Sequence, residues 1–306
     1  MTIESASQKL VAEFSSRRTL RTGSLITTVF GDSIAPRGGT VWLGSLIAAM
    51  AAFGVSERLV RTSVFRLVQD GWLQATQIGR RSYYSLTDEG RRRFEQATNK
   101  IYGQPATGWD HNWCLVLLAG LDAESRDAVK KELGWLGFGI LSGNVLAHPA
   151  PDHADLETAL GRLGLAGDVP ILSAQTIRNT EAMRELAQTA WNLEDIDVRY
   201  ASFVKRFRPL IAAYGKHTAV KPQTAFLIRT LLIQEYRKVL LRDPQLPAEL
   251  LPAGWHGTAA YQLCRNLYLA VYREADDYLS ATMETADGPL PPPSGAFMKR
   301  FGGLDR

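Results

Sequence analysis

The sequence predicts a multi-domain α+β protein. It divides into an N-terminal winged helix-turn-helix over 1–103, a ferredoxin-like unit over 109–180 and a mainly helical region over 181–306. Three observations predict this. Two helical stretches meet at Gly54, and the second carries arginines on one side only. Between Trp113 and Ala174 apolar strand-like runs alternate with helical ones. From Thr180 onward long stretches place apolar residues at helical spacing.

In chain order, Ser7 to Ser16 reads as a short amphipathic arm with Leu10, Val11 and Phe14 on one side. Leu25 to Phe30 reads as the first helix of the winged unit, Pro36-Arg37-Gly38-Gly39 as a loop, and Trp42 to Phe53 as the next helix. Gly54, free of a Cβ, suits the left-handed residue that ends a helix. Ser56 is placed to cap the following helix, and Glu57 suits the positive end of its dipole. On that helix Val60, Val64, Leu67 and Val68 share an inward face. Arg58, Arg61, Thr62, Phe65, Arg66 and Gln69 are the candidate DNA-contacting residues on its outer side. Arginine can fork onto guanine and glutamine onto adenine, while threonine or phenylalanine can touch a thymine methyl. A surface helix with solvated arginines is the alternative.

Gly71-Trp72-Leu73 ends this helix and opens a hairpin over Gln74 to Tyr84, with Gly79-Arg80-Arg81 at its tip. The tip places Arg80 and Arg81 where a wing meets a phosphate backbone or minor groove; a plain hairpin with solvated cations is the other reading. Thr87 caps a new helix that carries Arg91-Arg92-Arg93. The first segment closes in the loop Gly103 to Gly108.

In the second segment Trp113 to Leu118 reads as a buried strand and Ala123 to Gly137 as a helix capped by Asp122. One strand over Gly139 to Ala147, broken at Gly143-Asn144, follows, then a helix over Leu156 to Gly164 and a strand over Val169 to Ala174. The third segment carries helices over Thr180 to Trp191, Asp195 to Tyr214, Gln223 to Arg242 and Thr258 to Ala286. Gly288 to Gly295, rich in proline, reads as an extended tail. Aromatics and cations share these helices. The candidate ligand residues are Trp191, Arg199, Lys205, Arg206, Arg208, Tyr214, Trp255 and Arg265, types that suit an acyl group joined to a phosphate-bearing carrier. Core or dimer contacts are the plainer role for each.

Net charge is +4 over 306 residues, and its distribution matters more than its size. Residues 1–100 hold 14 Lys/Arg against 8 Asp/Glu, and the remainder 21 against 23. The positive excess therefore sits with the helix-turn-helix, as phosphate neutralisation requires. Two cysteines far apart, Cys114 and Cys264, form neither a zinc knuckle nor a disulfide framework, so a reduced cytosolic protein is expected. No apolar run reaches the roughly 20 residues of a membrane span, and there is no signal-peptide core.

Catalysis is not expected. There is no HExxH, GxSxG or P-loop pattern. His148, His153 and Asp152 are metal-capable types, but a Pro-rich loop after a strand accounts for them. A ferredoxin-like nuclease uses an aspartate at the end of its first strand, where this chain has Ala119-Gly120. No cofactor and no metal are expected.

Longer motifs point to a family. The run from Leu231 to Pro244 (LLIQEYRKVLLRDP), then Leu246-Pro247, Leu250-Leu251-Pro252 and Trp255, resembles the C-terminal signature of the PaaX family. Gly31-Asp32, Val60 to Leu67 and Gly71-Trp72-Leu73 resemble that family's winged helix, and the likeness runs from about Gly23 to Leu279. The resemblance implies a bacterial repressor of phenylacetic acid degradation genes with a Cas2-like ferredoxin domain in the middle. It implies a homodimer on an inverted-repeat operator in double-stranded DNA, released by phenylacetyl-coenzyme A or a related aryl-acyl thioester. A DNA-processing enzyme built on the ferredoxin-like unit and a ligand-independent architectural DNA binder remain the alternatives.

Overall fold

The computed structural model describes residues 2–16, 22–104, 108–149, 151–177, 181–214 and 220–304. Of the residues named above, Pro105, Ala106 and Thr107 of the boundary loop and Thr180 lie outside them. Contacts gather the chain into two units. One holds Met1–Gln104, Ser202–Lys238 and Thr258–Arg306; the other holds Pro105–Ala201 and Val239–Gly257.

The first unit begins with α1 (Ile3–Ser15), which buries Ile3, Ala6, Leu10 and Phe14. Val11, expected on that side, is only half-buried. Next come α2 (Thr22–Val29) and a π-helical turn, Phe30–Ile34. The chain continues through β1 (Thr40–Trp42), α3 (Leu43–Ala51), α4 (Glu57–Gln69), the hairpin β2 (Leu73–Ile78) and β3 (Arg81–Leu86), and α5 (Asp88–Tyr102). The strands form an antiparallel sheet in the order β1-β3-β2. Trp42 thus belongs to a strand and not to the helix expected from it. Pairing with β3 sets Val41 opposite Tyr84, which satisfies backbone groups and buries the Val41 side chain completely.

The second unit carries β4 (Asn112–Leu117), α6 (Ala123–Trp135), β5 (Gly139–Ser142), β6 (Val145–His148), α7 (His153–Arg162), β7 (Ile171–Gln175) and α8 (Glu181–Trp191). Its sheet runs β5-β6-β4-β7 with every neighbour antiparallel. The single broken strand expected over 139–147 is a hairpin: Gly143 and Asn144 reverse the chain, and Gly139 pairs with Ala147. Cys114, Val116 and Leu118 alternate inward and pack with Val129, Leu133 and Leu160 of the two helices. Asp122 and Asp152 are N-caps of α6 and α7, each accepting backbone N–H bonds.

The chain ends with α9 (Leu193–Tyr214), α10 (Pro222–Leu240), α11 (His256–Thr282), a two-stranded hairpin of β8 (Glu284–Thr285) and β9 (Gly288–Pro289), and the short α12 (Gly295–Met298). Of the segment expected as an extended tail, Leu290 is buried and Pro291, Pro292, Ser294 and Gly295 are exposed, and the residues that follow it pack. Leu290, Phe297, Phe301 and Leu304 are each at most 3% exposed. Proline restricts φ and removes a donor, but its carbonyl still accepts, here from Arg37 Nη1 at 3.1 Å to Pro291 O. Burial of the flanking apolar side chains then outweighs the tail's freedom. Among the described residues no helix is long and apolar enough to cross a membrane.

Asp32, in the π-helical turn, ties the start of the first unit to its end. Its Oδ2 lies 2.9 Å from Arg229 Nε and its Oδ1 3.0 Å from Arg300 Nη1, with all three residues buried. The hydroxyls of Tyr102 and Tyr268 donate to Oδ1 at 2.7 and 3.0 Å. Arg229 also reaches Asp276 at 2.6 Å. Burial would raise the Asp32 carboxyl; the two guanidiniums and two phenols more than offset this and hold it below its ordinary value. On the other side α2 meets α10, where Arg237 donates to Ser24 O at 2.9 Å and Thr28 bonds Gln234.

Asp32→Asn should destabilise the chain by about 3–5 kcal/mol, because it leaves buried Arg300 without a carboxylate and Arg229 with Asp276 alone; urea unfolding at unchanged slope measures it. A depressed carboxyl contributes stability that is full above its unfolded value of 3.8 and is lost as pH falls below that value through the folded one. Acid unfolding of the parent should therefore steepen below about pH 4, and Asp32→Asn should remove that part of the pH dependence.

Candidate nucleic-acid interface

The candidate interface is built on α4 and the β2–β3 hairpin. Gly54 takes φ 75° and Ser56 caps α4, its hydroxyl accepting from Leu59 N–H. The helix therefore starts where local sequence placed it. Its apolar stripe seats it: Val60 is 0% and Val64 1% exposed, while Leu67 and Val68 are only half-buried. α2 and α3 supply the surface beneath.

Arg58, Arg61, Thr62, Phe65, Arg66 and Gln69 are all exposed. At 100° per residue they occupy one arc of roughly 140°. Phe65, at 63% exposed, is a large apolar ring in water on this arc, and Leu59 at 47% flanks it. Arg61 forks onto Glu57 one turn earlier at 2.6 Å, a pair exposed on both sides and so easily exchanged for another anion. Thr62 spends its hydroxyl on Arg58 O at 2.9 Å, which leaves its methyl outward.

Gly79 turns the hairpin at φ 58°, with Arg80 exposed beside it. Arg81 differs. It lies over the Trp42 ring at 4.3 Å and donates to Glu284 Oε2 at 2.9 Å. Sequence reading treated Arg80 and Arg81 alike; the structure gives Arg81 an aromatic and a carboxylate partner. The signal that separates them is a residue 203 positions away, out of reach of local pattern.

The candidate ligand residues do not gather in one place. Lys205 and Arg206 line a common cavity in the first unit. Arg208, Tyr214 and Arg265 belong to that unit but do not line it. Arg265 Nε instead donates to Phe301 O at 3.2 Å. Burial, then the Glu274 carboxylate, raises the Tyr214 phenol above its ordinary value. Trp191, Arg199 and Trp255 belong to the second unit. There Trp191 Nε1 donates to Gly137 O at 2.7 Å, Arg199 pairs with Asp195 at 2.8 Å, and Trp255 packs edge-on to Tyr200. Trp191 and Trp255 are thereby engaged in packing, whereas the Arg199 pair is exposed on both sides and as exchangeable as that of Arg61.

Known proteins resemble the chain over most of its length. Residues 21–90 match the PaaX-like protein family, 106–187 the PaaX protein central Cas2-like domain, and 191–281 the PaaX-like protein C-terminal domain. The chain is 43% identical over 285 residues to the Transcriptional repressor PaaX of Escherichia coli (strain K12), spanning 92% of this chain and 90% of that one. Among solved structures, the uncharacterized protein Rv0674 from Mycobacterium tuberculosis is 25% identical with a TM-score of 0.48, over 77% of this chain and 90% of that one. The class defined is a multi-domain α+β protein with a Cas2-like centre and an exposed cationic helix near its start. The chain belongs to the PaaX family.

Phe65→Ala should change unfolding free energy by no more than about 0.5 kcal/mol, since the ring is exposed. Ser56→Ala should cost about 1 kcal/mol through the lost cap. Thermal and urea unfolding of both variants measure the contrast.

Proposed function

We propose that this chain is a winged helix-turn-helix transcriptional repressor. It binds an inverted-repeat operator as a homodimer and lets go when phenylacetyl-coenzyme A or a related aryl-acyl thioester binds. The observation that carries this reading is the division of α4: Val60 and Val64 buried, Arg58, Arg61, Phe65, Arg66 and Gln69 exposed on one arc. A helix of this kind presents base-reading side chains while its underside stays packed. The positive excess in residues 1–100 supports it, as does the name of the Escherichia coli relative.

In this reading α4 enters the major groove, β2–β3 is the wing, and Arg80 neutralises a phosphate. The three-part division at 1–103, 109–180 and 181–306 goes with it, supported by family matches that pause between 90 and 106 and between 187 and 191. Two-fold protein symmetry suits a two-fold site. The effector lowers duplex affinity only by preferring a conformation or dimer spacing that fits the operator poorly. Acting on chromosomal DNA, the protein works in the cytoplasm and needs no catalytic group.

Arg58→Ala should weaken operator binding by about 1–3 kcal/mol and relax specificity at one position. Arg80→Ala should weaken all duplexes alike and lower the slope of log affinity against log salt by about one. Fluorescence anisotropy over a salt series measures both, and parent-like curves for both variants would remove α4 and the wing from the interface. In a gel shift on its own promoter, phenylacetyl-coenzyme A should release the chain where phenylacetate alone does not. Retention of the shift with every aryl-acyl thioester tried would overturn the effector reading.

A further inference from the structure

The first unit holds a cavity of about 340 Å³ between α1 and α9. That volume suits part of a small organic ligand. Lys9 and Glu13 line it from α1, and Lys205 and Arg206 from α9. Leu10 and Leu210, both buried, make an apolar floor. The lining thus carries three cations against one carboxylate. That carboxylate is engaged: Arg206 Nε donates to Glu13 at 2.9 Å, and Arg206 Nη1 reaches Glu235 at 2.8 Å. Arg206 is therefore held in place, whereas Lys9 and Lys205 have no ionic partner among the described residues and stand exposed at the mouth. Pro209 also lines the cavity from within α9. It has no N–H to give the carbonyl of Lys205, so the helical ladder lacks one bond at this wall.

α1 connects this cavity to the base of α4. Ser15, at the last turn of α1, donates its hydroxyl to Phe53 O at 2.9 Å. Phe53 precedes Gly54 in the turn that launches α4, and a Cβ at Gly54 would stand 3.1 Å from Ser15 Oγ. The Phe53 ring packs edge-on to Phe226 of α10 at 5.6 Å. Any ligand that favours a displaced α1 therefore acts on the turn that sets where α4 points.

We propose that the α1–α9 cavity binds a phosphate-bearing organic anion with an apolar part, and that α1 passes the event to α4 through Ser15 and Phe53. Resting on the effector reading above, this makes the cavity the site for the phosphate-bearing end of the acyl thioester. The two lysines supply the charge-assisted donors that phosphate oxygens accept from, the leucine floor takes the apolar stem, and Arg206, held by Glu13 and Glu235, fixes the wall between them.

The test is calorimetry on the full chain with coenzyme A, phenylacetyl-coenzyme A and inorganic phosphate. The parent and a Lys9→Ala/Lys205→Ala double variant are compared, with operator release read in parallel. Both lysines are exposed, so the variant should melt with the parent. It should bind the thioester about ten-fold more weakly or worse, the loss of two charge-assisted contacts. Ser15→Ala should bind the thioester as the parent does but need more of it to release the duplex. Equal thioester affinity in parent and double variant would overturn the cavity assignment and leave the effector reading standing. No binding of either coenzyme A species to the parent would overturn both. Inorganic phosphate competing as well as coenzyme A would overturn the assigned ligand class.

Discussion

A carboxylate sealed away from water organises the first unit. Asp32 sits between two guanidiniums, Arg229 and Arg300, under two tyrosine hydroxyls, and every one of these groups is buried. Such a cluster adds little net stability over an apolar one of equal shape, but it tolerates no missing member. Its geometric consequence is specific. The π-helical turn after α2 is fixed against α10, α11 and the segment after α12, which bring Arg229, Tyr268 and Arg300. α2 in turn packs against α4. The outward helix therefore rests on a charge cluster assembled from chain segments hundreds of residues apart.

α4 separates two demands on one short helix. Val60 and Val64 hold it down, while Arg61 and Thr62 between them are exposed. An exposed phenylalanine among arginines is a poor choice for a merely solvated surface, because its ring gains nothing from water. It is a reasonable one for a face that meets the thymine methyls and phosphates of a duplex. The hairpin beside it is asymmetric. Arg80 is open, whereas Arg81 is drawn toward Trp42 and Glu284 and braces the hairpin against the C-terminal β8–β9 pair. Exposed ion pairs of this kind are weak, so that brace is adjustable.

The ends of the chain do more than their composition advertises. α1 lies on α9 through buried Leu10 and reaches the α3–α4 turn through Ser15. The proline-rich stretch after β9 delivers Pro291 to Arg37 and then Phe297 and Phe301 to the aromatic surroundings of the Asp32 cluster.

Much of this was legible locally. Gly54, Ser56, Thr87 and Asp122 end or cap helices as their side-chain chemistry requires, and the outward side chains of α4 lie on the arc its periodicity draws. The misreadings were also local. Trp42 joined a strand, residues 139–147 folded as a hairpin, and the expected tail is anchored through Leu290 and its backbone instead of hanging free. Each outcome was set by a partner elsewhere in the chain: β3 for Trp42, Ala147 for Gly139, and Arg37 and Pro36 for the proline run. By itself the sequence determined where the side-chain-capped helices begin and which face of α4 turns outward, since capping and periodicity act within about four residues. Tertiary structure alone decided that Asp32 is charged and buried, that Arg81 is braced while Arg80 is open, and that Lys205 and Arg206 share a cavity with α1. These depend on groups such as Arg300, 268 residues beyond Asp32, that meet only when the chain closes on itself.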